Sequence, residues 1–286
     1  MGVRVTSIMI QGTASSVGKS IICTGLLRIF QQDGYKVHPF KSQNMSNKYA
    51  LTEDGLKIST AQHLQAIASK INPNPNMNPI LLIPNSESGS RVVIKGVDKT
   101  DLEAAEYFKH KKDLGKMVFE IFKDIEREND IVVIEGAGSP AEINLNDDDF
   151  VNMGLAEMTN SPVLLVADID RGGVFASIYG TVMLLDESQR KRIKGILINK
   201  FRGDITLLKP GLKMIEELVD IPVIGVVPYT HLELEDEDSL TEYDKKCNVI
   251  KQNTEDIDLE IDRFAKILRD NIDLNYIYNI LGIKND

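Results

Sequence analysis

The run Gly12-Thr-Ala-Ser-Ser-Val-Gly-Lys-Ser20 decides the fold. An apolar, β-rich stretch at residues 3–10 precedes it, and an amphipathic stretch at residues 19–32 follows. Strand, glycine-rich turn and helix in that order form the context in which such a run cradles phosphate. Small residues let backbone N–H groups close on phosphate oxygens, and the helix N-terminus adds its dipole. On this reading Thr13, Ala14, Ser15, Ser16, Val17 and Gly18 line the cradle. Lys19 reaches the β- and γ-phosphates of ATP, and Ser20 offers its hydroxyl to Mg²⁺. Five residues separate Gly12 from Gly18, one more than usual, so Thr13 takes the place of the first glycine.

Further apolar runs lie at residues 37–40, 130–134, 162–167, 193–198 and 222–227, with helix-like stretches at 101–128, 174–186 and 207–218. Continuous Val/Ile runs joined by helices predict a mostly parallel sheet covered on both faces, an α/β P-loop NTPase fold. Asn72-Pro-Asn-Pro-Asn-Met-Asn-Pro79 is a breaker cluster and reads as loop. Residues 229–258 are polar and acid-rich and read as a linker. Helical spacing returns at Ile261, Phe264, Ile267, Leu268 and Ile272, predicting a C-terminal helix that docks on the domain. The organisation is therefore a P-loop domain at 1–228, a linker at 229–258 and a docking helix within 259–286.

The 286 residues carry a net charge of -10. That acidity argues against nucleic acid or a membrane surface as partner, because both are polyanions. Any anionic ligand needs a local cation site. No stretch reaches the roughly 18 apolar residues of a membrane span, and no leader pattern is present. Two cysteines, Cys23 and Cys247, are too few for a metal cluster or disulfide framework and point to a reducing cytoplasm.

Other strand ends supply candidates. Ile131-Val-Val-Ile-Glu135-Gly-Ala-Gly138 ends a strand in an acid and a glycine-rich turn, which puts Glu135 at the crevice edge as the carboxylate for Mg²⁺. Gly136 and Gly138 leave room for a substrate to approach the backbone. Lys41 follows the second strand and is placed to neutralise charge during phosphoryl transfer, with Gln43, Asn44 and Ser46 as substrate hydrogen-bonders. Asp168-Ile-Asp170-Arg171 ends a third strand: Arg171 contacts phosphate or a substrate carboxylate, and Asp170 faces substrate. Asn199 reads an adenine edge, and Pro228 completes the base pocket. The Asp147-Asp-Asp149 run reads as water-facing.

Taken in order, GTASSVGKS, PFKSQNMS, MNPILL, IEGAGSPAEINL, VNMGLAE, ADIDRGGVFAS, NKFRGD and GVVPY resemble the cobyric acid synthase family over roughly residues 5–240. Ala14 stands where partition-type ATPases carry an extra lysine. The resemblance implies a dethiobiotin-synthetase-like domain that uses ATP to convert corrin carboxylates to amides through acyl phosphates, taking adenosylcobyrinic acid a,c-diamide to cobyric acid. Family members also carry a glutaminase domain with a Cys nucleophile and a His base. Here none follows residues 229–240, and residues 262–278 resemble the family's own C-terminus. Ammonia, free or from a separate glutaminase subunit, is then the expected nitrogen source, and Cys247 is a non-catalytic surface cysteine. Lys57 and Ile67 stand where relatives have acids. That departure and the missing domain keep open a nucleotide-binding regulator or assembly partner without catalysis. The nearest enzyme alternative is a related synthetase, a cobyrinic acid a,c-diamide synthase or a dethiobiotin synthetase, against which the NMS and DRGG segments favour the cobyric branch. A homodimer is compatible with any of these.

Overall fold

A computed structural model describes residues 6–84, 90–99, 111–145, 149–232 and 254–283. The strands are β1 (Ser7–Gly12), β2 (Val37–Phe40), β3 (Gln43–Met45), β4 (Tyr49–Leu51), β5 (Lys57–Ser59), β6 (Ile80–Pro84), β7 (Ser90–Ile94), β8 (Val97–Lys99), β9 (Ile131–Glu135), β10 (Val163–Asp168), β11 (Ile193–Phe201) and β12 (Val223–Pro228). The α-helices are α1 (Lys19–Gln32), α2 (Thr60–Ala68), α3 (Lys111–Glu128), α4 (Met153–Met158), α5 (Val174–Leu184), α6 (Glu187–Arg190), α7 (Ile205–Val219), α8 (Thr254–Asn271) and α9 (Leu274–Ile280).

Six strands form one parallel sheet in the order β12-β11-β10-β1-β9-β2. Alternate residues of the central strands enter two separate cores. Met9, Val132, Ile134 and Leu165 pack with α3, α4, α5 and α7 on one face. Ile8, Ile10, Val133 and Leu164 pack with α1, α8 and α9 on the other. Both faces are dry, so these strands read as unbroken apolar runs. Because the strands are parallel, Gly12, Phe40, Glu135, Asp168, Phe201 and Pro228 all end at one edge. Strand order reverses beside β1, the place where open α/β sheets bind ligands outside the carboxyl ends of their strands.

Several expectations are refined. Residues 43–99 build a second, four-stranded sheet, β3-β6-β7-β8, and the β4-β5 hairpin. The breaker cluster contains a 3₁₀ turn at Pro75–Met77 and leads straight into β6. β11 runs to Phe201, so Asn199 lies in the strand opposite Asp168 rather than after it. The terminal segment is two helices rather than one, broken where Ile272 bridges Gly225. Residues 3–5 and 101–110, expected from the sequence as strand and helix, most of the expected linker, Cys247, Asp147 and Asp148 lie outside the described residues. No described helix is long and apolar enough to cross a membrane.

The C-terminal helix docks on α1 directly behind the glycine-rich loop. Buried Arg28 of α1 donates to Asp258 (2.6 Å) and Asp262 (2.7 Å) of α8, and to the carbonyls of Ile67 (3.1 Å) and Ala68 (2.9 Å) at the end of α2. Gly25 makes the close approach possible, since a Cβ there would lie 2.3 Å from Leu268 Cδ1 and 3.0 Å from Phe264 Cδ1. Gly25→Val is expected to cost about 1–3 kcal/mol by overpacking. Thermal unfolding checks this, and an unchanged midpoint would contradict the docking.

Candidate functional site at the carboxyl edge of the sheet

The loop after β1 crowns the edge. Gly18 takes φ 97 as the N-cap of α1 and contributes no side-chain cap, and a helix N-terminus of this kind favours an anion. Ser16 adopts φ 59. A Cβ on Gly18 would sit 2.2 Å from Asn199 Nδ2. Only glycine lets that amide reach the Val17 carbonyl, to which it donates at 2.9 Å. Lys200 braces the same loop, donating to the Ser16 carbonyl (2.6 Å) and Asp168 Oδ2 (3.0 Å). Thus β10 and β11 hold the loop from one side. Ala14 and Ser15 stand exposed at its crest, and Thr13 is half-buried.

Lys19 folds back over the loop. Its Nζ donates to the Ala14 carbonyl at 3.0 Å and to the Gly138 carbonyl at 2.9 Å, spanning from α1 to the turn after β9. Ser20 Oγ donates to Glu135 Oε1 at 2.7 Å, and Lys41 Nζ meets the same oxygen at 2.7 Å. The Lys41 and Glu135 side chains are only 7% and 1% exposed. Glu135 Oε2 accepts from Gln65 Nε2 at 2.6 Å and from Gln62 Nε2 at 3.4 Å. Burial pushes the Glu135 carboxyl upward. The Lys41 ammonium, with hydrogen bonds from Lys41, Ser20 and Gln65, outweighs that and holds it below its ordinary value. Nearby Cys23 is a packing residue, its thiol pushed well up by burial and then by the Glu135 charge.

The glycine-rich turn after β9 is filled by the chain's own side chains. A Cβ on Gly136 would meet Asn152 Oδ1 at 2.5 Å, and one on Gly138 (φ 59) would meet Glu142 Oε1 at 2.7 Å. Asn152 pairs with Ala137 through both amide groups, at 3.1 and 2.6 Å. The room these glycines provide therefore serves Asn152 and Glu142, which set the carbonyl that Lys19 uses. Asp149 in turn caps the segment, accepting from the N–H groups of Val151, Asn152 and Gly154.

The remaining candidates spread along the edge. Arg171 is 73% exposed, its Nε 3.9 Å from Asp168 Oδ2. Asp170 pairs with Arg202 at 2.9 Å, and the Arg202 guanidinium stacks on Tyr229 with its carbon 3.3 Å from the ring centroid. Pro228 lies beside them in register with Phe201. Gln43 and Asn44 belong to β3, and Asn44 is buried. Ser46 is buried too, its hydroxyl accepting from the Lys48 N–H at 3.0 Å. Lys57 and Ile67 are engaged otherwise: Lys57 pairs with Asp98 at 2.7 Å and Ile67, half-buried, packs against the apolar core. Sequence reasoning missed Gln62, Gln65, Asn152 and Lys200. An i, i+3 amide pair on α2, the first α-helix after Lys41, was the available signal for the first two.

The site thus offers hard oxygen donors, Ser20 Oγ and Glu135 Oε1, beside two buried ammonium groups and a helix N-terminus. Among the described residues no three His, Cys, Asp or Glu side chains cluster as a metal cage. A divalent cation here would share its shell with ligand and water oxygens, as Mg²⁺ commonly does.

Residues 8–240 match the family model described as CobQ/CobB/MinD/ParA nucleotide binding domain. A cobyric acid synthase of Clostridium novyi is 60% identical over 239 residues, 84% of this chain and 47% of that protein. One from Lachnoclostridium phytofermentans is 51% identical over 265 residues, 91% of this chain and 51% of that protein. The chain spans about half the length of these curated relatives. Among solved structures, the signal recognition particle receptor FtsY from Elizabethkingia anophelis aligns with TM-score 0.46 at 13% identity, over 91% of this chain and 66% of that one. MinD from Aquifex aeolicus aligns with TM-score 0.39 at 15% identity, over 78% of this chain and 82% of that one.

Proposed function

The chain belongs to the CobQ/CobB/MinD/ParA nucleotide-binding domain family, and from that premise we propose that it is an ATP-dependent amide synthase acting on corrin side-chain carboxylates. The proposed conversion is adenosylcobyrinic acid a,c-diamide to cobyric acid, in cobalamin biosynthesis. The observation that carries this reading is the meeting of Lys19, Ser20, Lys41 and Glu135 at the ends of three adjacent strands, β1, β9 and β2. A phosphate cradle alone fits many chemistries. A buried lysine opposite the cradle, on the side away from β10 and β11, supplies positive charge where an acceptor carboxylate would lie.

A carboxylate is a poor electrophile because its charge is delocalised over both oxygens. In the proposed reaction a substrate carboxylate oxygen bonds to the γ-phosphorus as the bond to ADP breaks, giving an acyl phosphate. Ammonia then attacks the acyl carbon, the amide forms after loss of a proton, and phosphate leaves with the former carboxylate oxygen. The loop N–H groups and Lys19 hold the phosphate chain. Lys41 faces the charge that develops between donor and acceptor. Ser20 and Glu135 fit Mg²⁺: both are hard oxygen donors, and Glu135 Oε1 already accepts two donors, one of them a full positive charge. When bound, the ion would neutralise β/γ-phosphate charge. Asn199 and Pro228 border the base end, with the Arg202–Tyr229 stack beside them.

The chain is expected to amidate a corrin carboxylic acid with ammonium and ATP, releasing ADP and phosphate in step with amide. Mass spectrometry of the corrinoid with ammonium or glutamine as sole nitrogen source checks this. Amidation with glutamine by the pure chain would overturn the ammonia-dependent reading. ATP binding without corrinoid-stimulated hydrolysis would replace it with a nucleotide-binding regulator.

A further inference from the structure

A row of buried polar side chains runs from the start of α2 to the Glu135 carboxylate. Ser59 is the N-cap of α2 and accepts from the Gln62 N–H at 3.3 Å. Its hydroxyl donates to Gln62 Oε1. Gln62 Nε2 donates to Gln65 Oε1 at 3.3 Å, and Gln65 Nε2 donates to Glu135 Oε2 at 2.6 Å. Ser59, Gln62 and Gln65 are all fully buried.

The direction of the row follows from its end. An ionised carboxylate only accepts, so Gln65 must turn its nitrogen to Glu135 and its oxygen back to Gln62. Gln62 must then turn its oxygen to the Ser59 hydroxyl. Each link fixes the next, and the row closes on the N-cap of a helix. Burying three polar side chains is costly unless every one is satisfied, which is a poor way to build a core and a good way to aim a charge. The other end of α2 is held as well, its last carbonyls tied to Arg28 and through it to α8.

We propose that Ser59, Gln62 and Gln65 are positioning residues for Glu135. They anchor Oε2, so that Oε1 alone faces Ser20, Lys41 and any cation bound there. This rests on the reading of Glu135 as the metal-side carboxylate.

The test is calorimetric titration of the full chain with a non-hydrolysable ATP analogue, in EDTA and across a Mg²⁺ series. Gln65→Met should raise the Mg²⁺ concentration that half-maximally tightens binding by about tenfold or more, while affinity in EDTA stays within about twofold of wild type. Gln62→Met and Ser59→Ala should shift the midpoint in the same direction by less, and Ser59→Thr, which keeps the hydroxyl, should restore it. A loss of fold would lower both affinities together, and if Gln65→Met does not fold, Gln62→Met and Ser59→Ala carry the comparison. Unshifted midpoints in these variants, beside a Glu135→Gln chain that has lost its Mg²⁺ response, would overturn the relay alone. A Glu135→Gln chain that keeps the wild-type response would overturn the metal reading and the relay together.

Discussion

Lys19→Ala is expected to weaken ATP binding by about 2–5 kcal/mol, on the order of thirty- to several-thousand-fold. Lys19 is buried, and its ammonium bridges the Ala14 and Gly138 carbonyls across the mouth of the loop. Those acceptors are neutral. A phosphate oxygen offers a full charge at the same place, and hydrogen bonds between charged groups are the strong ones. The stability cost should be smaller, about 1.5–3 kcal/mol, because the fold loses only ammonium hydrogen bonds to neutral carbonyls. Calorimetry with Mg²⁺ and ATP checks the first figure, and urea unfolding of the same samples checks the second. Unchanged affinity in a folded variant would remove the cradle from the account.

Lys41→Met is expected to destabilise the fold by about 3–5 kcal/mol, since it leaves a buried carboxylate without its partner. Its pH dependence should differ in sign from wild type. In wild type the Glu135 carboxyl sits below its ordinary value of 4.5. It therefore contributes stability that is present above that value and lost as pH falls through the lower, folded one. Without Lys41 the effect of burial prevails and the folded carboxyl shifts upward. Stability then declines as pH rises from 4.5 towards the new value, so the deficit against wild type grows between acidic and neutral pH. Denaturant unfolding at several pH values measures it. Lys41→Met combined with Glu135→Leu should recover much of the loss, because neither charge is then stranded.

Much of this was legible from local patterns. The cradle depends on contiguous residues, and a carboxylate at the end of an apolar strand announces itself. The parallel sheet follows from strands dry on both faces. What stayed hidden is non-local. β3 is three residues long and pairs with β6 more than thirty residues later, with no alternation to betray it. Gln62 and Gln65 occupy the inward face of a helix, where an amide pattern reads as a wet surface until Glu135 is seen beneath it. Arg28 of α1 is buried because Asp258 and Asp262 of α8, more than two hundred residues later, pair with it, a contact no local pattern announces. Asn199, a candidate adenine contact from its place in the sequence, also donates through its amide nitrogen to the Val17 carbonyl, a bond visible only once Gly18 is placed beside β11.

The central claim is that a phosphoryl group passes from a nucleotide in the cradle to an organic acid held on the Lys41 side. The most direct measurement follows oxygen. With a corrin carboxylate labelled with ¹⁸O, ATP, Mg²⁺ and ammonium, the account predicts that each inorganic phosphate released with amide carries one labelled oxygen, seen as an isotope shift by ³¹P NMR. Release of only unlabelled phosphate would mean that water, not the carboxylate, receives the phosphoryl group, and would contradict the account.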